Sequence, residues 1–150
     1  VIDKAHTIPL ESLYYSYARP ATPSNGSIDC SGWVGWCFSD FFPQMFNGGN
    51  LYTGSIQQYF INNNKVLASG AKSLETLASE VGGIKKGDII NMSSTSDFGS
   101  GGASHVVFMI SDTNCSSCGS TPCPKEFNLL NVYGASGSLA HTYNAIIRPF

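Results

Sequence analysis

The sequence is poor in charge. Lys and Arg together number eight, Asp and Glu number ten, and charged residues make up 12% of the 150 positions. A net charge of −2 provides no basic patch for nucleic acid and no long-range attraction for an anionic polymer. The chain also lacks any apolar run near the roughly 20 residues that span a bilayer. These absences predict that neither nucleic acid nor a membrane is a partner.

Motifs for common cofactors are also missing. The sequence contains no GxGxxG, no P-loop and no HExxH, so it predicts no cofactor and no catalytic metal. It shows no internal repeat and no long linker, and its length suits one domain with one core, residues 1–150. It begins with Val1 and has no signal peptide, so we expect a processed chain or an excised domain.

Cysteine, by contrast, is abundant. Three of the five cysteines lie in "CSSCGSTPC" (Cys115, Cys118 and Cys123), which favours an oxidising compartment and so a secreted or periplasmic location. Three thiolates without a second pair do not make a zinc finger, so a disulfide-pinned loop is the better interpretation. With Cys30 set aside, four cysteines allow two bridges in three connectivities. If Cys37 packs in the core, one loop cysteine stays unpaired.

Cys30 stands at the edge of an apolar run, in "IDCSGWVGWC". Asp29 is a natural N-cap, and apolar residues follow at spacings of three and four, which predicts a helix ending before Pro43. Cys30 then lies in the first helical turn. There the free N–H groups and the helix dipole stabilise a thiolate and can receive the oxyanion of a tetrahedral intermediate.

The remaining pattern predicts an α+β domain with an antiparallel sheet. Helices are expected in "TIPLESLYYSYARP", capped by Thr7, and in "TGSIQQYFINNN" and "SLETLASEVGG". Short segments rich in β-branched and aromatic residues follow: "GDIINM", "SHVVFMIS", "EFNLLNVY" and "HTYNAIIRPF". Helices first and strands afterwards are typical of this class.

A cysteine nucleophile needs a base, and the sequence offers three histidines. His6 lies near the terminus outside any strong element, and His141 begins the last predicted strand. His105 opens the strand "SHVVFMIS", where it shares a face with Val107 and Met109. We expect that face to look toward the helix of Cys30.

Taken in order, "DCSGWV", "KKGDII" and "SHVVFMIS" resemble the NlpC/P60 family of cysteine peptidases. The resemblance extends from about Tyr15 to the C-terminus. It implies a papain-like fold, with the nucleophile at the start of a helix packed on an antiparallel sheet. It also implies hydrolysis of amide bonds in the stem peptide of bacterial peptidoglycan, commonly between D-glutamate and the diamino acid, through a thioester.

By the same resemblance, Cys30 is the nucleophile and His105 the base. A tyrosine before the cysteine, here Tyr15 or Tyr17, would lie near the oxyanion, and the N–H of Cys30 or Ser31 would be a second donor. The residues assigned to the oxyanion and substrate side are therefore Tyr15, Tyr17, Ser31 and Asp29.

The third residue, which orients the histidine ring, departs from the family. It is commonly a His on the strand after the base strand, and "FNLLNVYGAS" contains none. Asn131 is the first choice, because it is polar between apolar residues and amides orient the base in other cysteine peptidases. Tyr133 and His141 are the alternatives. The stretches "FNGGNLYTG" and "SSTSDFGSGG" and the cysteine-rich insertion also depart from the family, and we expect them to border the cleft.

Three other functions fit the same residues. An amidase of the CHAP type would cut the sugar–peptide bond or the cross-bridge. An antibacterial effector would use the same chemistry and would have a tight-binding immunity protein. A non-catalytic module would only bind the wall. A monomer acting on a peptidoglycan peptide is the expectation in the catalytic cases.

Overall fold

The computed structural model describes residues 1–98 and 104–150 of the chain. Within these ranges the strands are β1 (Tyr14–Tyr15), β2 (Ser27–Ile28), β3 (Val66–Gly70), β4 (Ile89–Ser93), β5 (Ser104–Met109), β6 (Asn114–Ser117), β7 (Lys125–Asn128) and β8 (Tyr143–Ile147). The α-helices are α1 (Ile2–Ala5), α2 (Cys30–Phe38), α3 (Pro43–Phe46), α4 (Thr53–Asn62), α5 (Leu74–Glu80) and α6 (Leu129–Tyr133). Short 3-10 helices at Pro23–Asn25 and Asn47–Gly49 complete the described elements.

Six strands form one antiparallel sheet in the order β3-β8-β4-β5-β6-β7. One face packs against α2 and α4 through a core that includes Trp33, Val34, Phe38, Ile56, Phe60, Val106 and Phe108. The other face packs against α5 and α6 through a core that includes Leu74, Leu77, Ile90, Met92, Val107, Met109, Leu129 and Tyr133. The protein is therefore an α+β fold with an antiparallel sheet, as the sequence predicts.

Helix α2 is the central helix of the first core. The Asp29 carboxylate accepts a hydrogen bond from the Gly32 N–H at 3.0 Å, so the helix begins at Cys30 as predicted. Every α2 residue except Trp36 is buried, as expected of a helix that is apolar all round. Gly32 permits a close approach, because a Cβ there would lie 2.6 Å from the Cβ of Ala21.

The predicted helix that begins at Thr7 is wrong. Helix α1 ends at Ala5, and residues 13–15 are extended. Leu13 exchanges two backbone hydrogen bonds with Cys123, at 2.8 and 2.9 Å, and β1 then pairs in parallel with β2. Long-range backbone pairing outweighs the helix propensity of this segment.

The predicted strand "EFNLLNVY" is half right. Strand β7 ends at Asn128, whose side chain accepts a hydrogen bond from the Asn131 N–H at 3.1 Å and so caps α6. Strands β2, β3 and β6 were also not predicted, since β2 has two residues and the sequences "VLASG" and "NCSS" are short and polar or small. None of the described helices is long and apolar enough to cross a membrane.

Candidate active site

The thiol of Cys30 lies at the N-terminus of α2 and is 5% exposed. Its sulfur lies 3.9 Å from the hydroxyl oxygen of Thr53, and the backbone N–H groups of Ser31 and Val106 lie close enough to lower its pKa. Thr53 is held in turn by Asn91, whose amide donates to the Thr53 carbonyl at 3.3 Å. The thiol therefore lies between the first turn of α2, the start of α4 and the backbone of β5.

The surroundings of the Cys30 thiol raise its pKa and so favour its protonated form. Burial raises the pKa of Cys30, and the negative charge of Asp29 raises it further. The hydrogen bonds from Val106, Thr53 and Ser31 lower the pKa but do not offset the burial. The helix terminus therefore does not create a resting thiolate, and a base must remove the proton.

Asp29 is held by a buried ion pair. Its second carboxylate oxygen lies 2.9 Å from a guanidinium nitrogen of Arg19, and the two side chains are 3% and 11% exposed. Arg19 also donates to the Leu51 carbonyl at 2.7 Å and to the Ser31 hydroxyl at 3.3 Å. The pair anchors the segment before α2 to the start of the helix.

Tyr15, rather than Tyr17, comes close to the thiol. Strand β1 pairs Tyr15 with Ile28, two residues before Cys30. Burial, the neighbouring Tyr17 and the nearby Cys30 and Asp29 raise the pKa of Tyr15, so its phenol stays protonated and can donate. Tyr17 is 70% exposed, and its ring lies edge-on to that of Tyr15 with centroids 5.4 Å apart.

His105 is the second residue of β5, and its ring is held by a serine. Nε2 of His105 lies 2.9 Å from the Ser117 hydroxyl on the neighbouring strand β6. The ring of Tyr133 packs beside the imidazole, with centroids 5.4 Å apart. Burial lowers the pKa of His105 to about 4, and the nearby His141 lowers it as well. The imidazole is therefore neutral at neutral pH.

The thiol lies close to the backbone of β5 near His105. The Val106 N–H, which lowers the pKa of the Cys30 thiol, belongs to the residue directly after His105. Tyr133, which packs on the His105 ring, also senses Cys30. The pKa of Tyr133 is raised mainly by burial, then by Cys115, and to a smaller extent by Cys30. Among the described residues no hydrogen bond joins the Cys30 sulfur to the imidazole. Such bonds are often long before substrate binds.

The expected orientation of β5 is wrong. His105 pairs with Met92 across the β4–β5 ladder, and Met92, Val107 and Met109 all face α5 and α6. Val106 and Phe108 are the residues that face α2. The imidazole thus lies along the α6 side of the sheet, and the feature that it shares with the thiol is the start of β5.

Asn131 does not lie beside His105. It belongs to α6 rather than to a strand, and its side chain is exposed. Of the two alternatives, Tyr133 packs on the imidazole, and His141 lies in the segment before β8, with its ring centroid 6.2 Å from that of Tyr133.

Ser117 is the residue that the sequence interpretation missed. It lies in the cysteine-rich stretch that was taken for a loop. The sequence does indicate this strand, because the turn-forming residues "SDTN" follow "HVVFMI" and lead into "NCSS". A hairpin at that turn brings β6 alongside β5, the strand of His105.

A cavity of about 390 Å³ opens beside His105. It is lined by His105, Ser117, Gly119, Ser120, Lys125, Phe127, Val132, Tyr133, Leu139 and His141. Gly119 makes room for the imidazole, because a Cβ there would lie 3.2 Å from its Cε1 atom. Part of the loop expected to border the cleft, residues 99–103, lies outside the described residues.

The cysteines divide into one bridge and three free thiols. Cys118 and Cys123 form a disulfide within the loop between β6 and β7, as a disulfide-pinned loop predicts. Cys30, Cys37 and Cys115 are free and buried. Cys37 packs in the core on the α2 side, and Cys115, which lies in strand β6 rather than in a loop, is left unpaired.

In comparisons with known proteins, no family model matches the chain, and no curated protein matches it significantly. The functional conclusion therefore depends on the geometry of the site and on the motifs in the sequence.

Proposed function

We propose that this protein is a cysteine amidase of the NlpC/P60 type, which hydrolyses amide bonds in the peptide part of bacterial peptidoglycan. One observation supports this most directly. A thiol in the first turn of a capped, buried helix lies against the strand that carries His105, and a hydroxyl on the next strand holds that imidazole. A Cys–His amide-cleaving pair needs a thiol and a basic imidazole on neighbouring elements, and the starts of α2 and β5 provide these two groups.

In the proposed mechanism, Cys30 attacks the scissile carbonyl while His105 takes the thiol proton. In this mechanism Nε2–H of the imidazole donates to the Ser117 hydroxyl, so Nδ1 is unprotonated and accepts the thiol proton. Ser117 therefore takes the orienting role that the sequence interpretation assigned to Asn131. A base whose pKa is about 4 stays unprotonated at neutral pH, so a neutral thiol and a neutral imidazole form the resting pair.

The negative oxygen of the tetrahedral intermediate would be received by donors at the start of α2. The N–H groups of Cys30 and Ser31 belong to the first helical turn, whose N–H groups have no intrahelical acceptor. The protonated phenol of Tyr15 is the third donor. His105 then gives its proton to the leaving amine, which leaves a thioester on Cys30 that water hydrolyses.

The setting of the protein follows from the same proposal. A papain-like wall hydrolase acts outside the cytoplasm, and the Cys118–Cys123 disulfide is compatible with that location. Its macromolecular partner would be the wall peptide, and the expected active form is a monomer.

The test is mass spectrometry of soluble fragments released from purified peptidoglycan by the wild type and by Cys30→Ala. Shortened stem peptides from the wild type alone are expected, and their masses identify the bond that is cut. Release of free glycan and intact stem peptide would instead indicate an amidase of the CHAP type. If the wild type releases nothing, wall hydrolysis is rejected.

A further inference from the structure

The cavity beside His105 has an unusual charge for this protein. Lys125 and the imidazoles of His105 and His141 line it, whereas none of its described lining residues is acidic. Residues 99–103, outside the described ranges, carry no charge in the sequence. In a chain of net charge −2, one ammonium group and two imidazoles therefore line a cavity that has no acidic residue in its described lining.

The nearest acidic residue in the sequence faces elsewhere. Strand β7 alternates, so Lys125 and Phe127 point into the cavity while Glu126 points away from it. Glu126 is engaged by His6, with Nε2 of His6 2.6 Å from the carboxylate oxygen. No salt bridge to Lys125 is present among the described residues, so its ammonium group is available to a ligand.

His141 has one ring nitrogen left for a ligand. Its Nδ1 lies 2.8 Å from the carbonyl oxygen of Leu139 and must carry the proton of that hydrogen bond. Nε2 is then left for a ligand, as an acceptor in the neutral ring and as a donor in the protonated ring. Ser120 contributes a hydroxyl to the same wall.

The rest of the cavity is apolar. Phe127, Val132 and Leu139 provide a surface that suits methylene groups rather than a sugar or a second charge. A volume of about 390 Å³ is at the small end of the range for ligand sites.

We propose that this cavity binds a free carboxylate on a short aliphatic group of the substrate peptide, with Lys125 as its counter-ion. The location next to His105 places that carboxylate beside the scissile amide, and this part of the inference depends on the proposed function. The preference of the cavity for a carboxylate over the corresponding amide does not depend on the proposed function. If the cavity has this preference, Lys125 and His141 are the residues that determine it.

The test measures binding rather than turnover. In the Cys30→Ala background, two probes of nearly the same shape are titrated: N-acetyl-L-alanyl-D-glutamate and its uncharged diamide. We expect the dicarboxylate to bind about tenfold more tightly than the diamide, because a partly exposed charge-assisted contact contributes about 1.4 kcal/mol. We also expect its NMR shifts to centre on Lys125, Leu139 and His141.

The variants Lys125→Met and Lys86→Met make the matched pair. Lys86 is exposed and does not line the cavity. Lys125→Met should abolish most of the preference and Lys86→Met should preserve it. Equal binding of the two probes, no carboxylate-dependent shifts at millimolar concentration, or a preference unchanged in Lys125→Met overturns the inference.

The two proposals fail in distinguishable ways. If the wild type does not cut peptidoglycan but the carboxylate preference is present and depends on Lys125, the function fails and the ligand class stands. If the wild type cuts peptidoglycan but the probes bind equally, the function stands and the carboxylate site is rejected.

Discussion

At the scale of single residues, the proposed chemistry depends on two groups whose pKa values move in opposite directions. Burial raises the pKa of Cys30 and lowers the pKa of His105, so both are neutral at rest. A preformed thiolate–imidazolium pair is therefore disfavoured. The proposed oxyanion donors and the bound substrate must therefore stabilise the charges that form as the thiol attacks. This makes Tyr15 and the first turn of α2 important for the rate.

Tyr15→Phe removes one proposed oxyanion donor and leaves the ring in place. We expect kcat to fall by roughly 10- to 100-fold with little change in KM, since the contact forms only in the transition state. The measurement is steady-state kinetics on a wall-derived peptide. Tyr14→Phe is the control, because Tyr14 is 70% exposed and belongs to the same strand. Equal rates for Tyr15→Phe and the wild type would remove Tyr15 from the mechanism.

The depressed pKa of His105 predicts a loss of stability in acid. Its value of about 4 in the folded protein lies below the ordinary 6.5, so the unfolded chain binds more protons between these values. The stability is complete above about pH 6.5 and is lost as pH falls through about 4, by up to about 3 kcal/mol. Urea unfolding of the wild type and of His105→Gln across pH 4–7 measures this. A wild type with no steeper decline than His105→Gln contradicts the assignment.

At the scale of elements, α2 depends on the residue before it. Asp29 caps the helix, pairs with Arg19 and lies beside the proposed nucleophile, so one carboxylate has three roles. In the Gly87–Asp88 turn before β4, a carboxylate likewise holds a secondary-structure element in place. Asp88 receives two hydrogen bonds from the Arg148 guanidinium, each 2.9 Å, which ties β4 to the end of β8. The aspartates of the "DCSGWV" and "KKGDII" motifs thus hold the fold together as well as marking the resemblance.

Asp29→Ala should destabilise the protein strongly. Loss of the cap costs about 1 kcal/mol, and leaving Arg19 buried without its partner costs about 3–5 kcal/mol. Chemical denaturation provides the free energy of unfolding. Asp40→Ala is the comparison, because Asp40 is 71% exposed in its pair with Lys4 and such pairs contribute at most about 1 kcal/mol. Similar losses in the two variants would show that the Arg19–Asp29 pair does not anchor α2.

At the scale of the whole molecule, the loop between β6 and β7 links separate parts of the chain. The disulfide closes it, Cys123 pairs through its backbone with Leu13, and Ser117 and Lys125 at its two ends face the His105 cavity. A change in the conformation of this loop should therefore alter both the N-terminal segment around Leu13 and the cavity beside His105.

The double variant Cys118→Ala/Cys123→Ala should lower the free energy of unfolding by about 2 kcal/mol, the loss expected for a short closed loop. We also expect reduced activity, because Ser117 and Lys125 lose their fixed position. Thermal unfolding and the peptidoglycan assay test both effects. Wild type in excess reductant should behave like the variant, and an unaffected Tm and rate would show that the bridge is dispensable.

Much of the fold could be predicted because the patterns were local. The cap at Asp29, the spacing of apolar residues in α2 and the β-branched segments of β4, β5 and β8 are all evident in the sequence. The errors occurred where distant backbone pairing decided the outcome, as at Leu13 with Cys123, or where one side chain capped a helix, as Asn128 does.

The sequence by itself determined the class of fold, the place of Cys30 at a helix start and the place of His105 at a strand start, because capping and periodicity depend on near neighbours. Only the tertiary structure decided which face His105 occupies, that Ser117 and not Asn131 holds its ring, and that burial keeps the thiol protonated. Strand register and desolvation depend on residues far apart in the chain, and no local pattern encodes them.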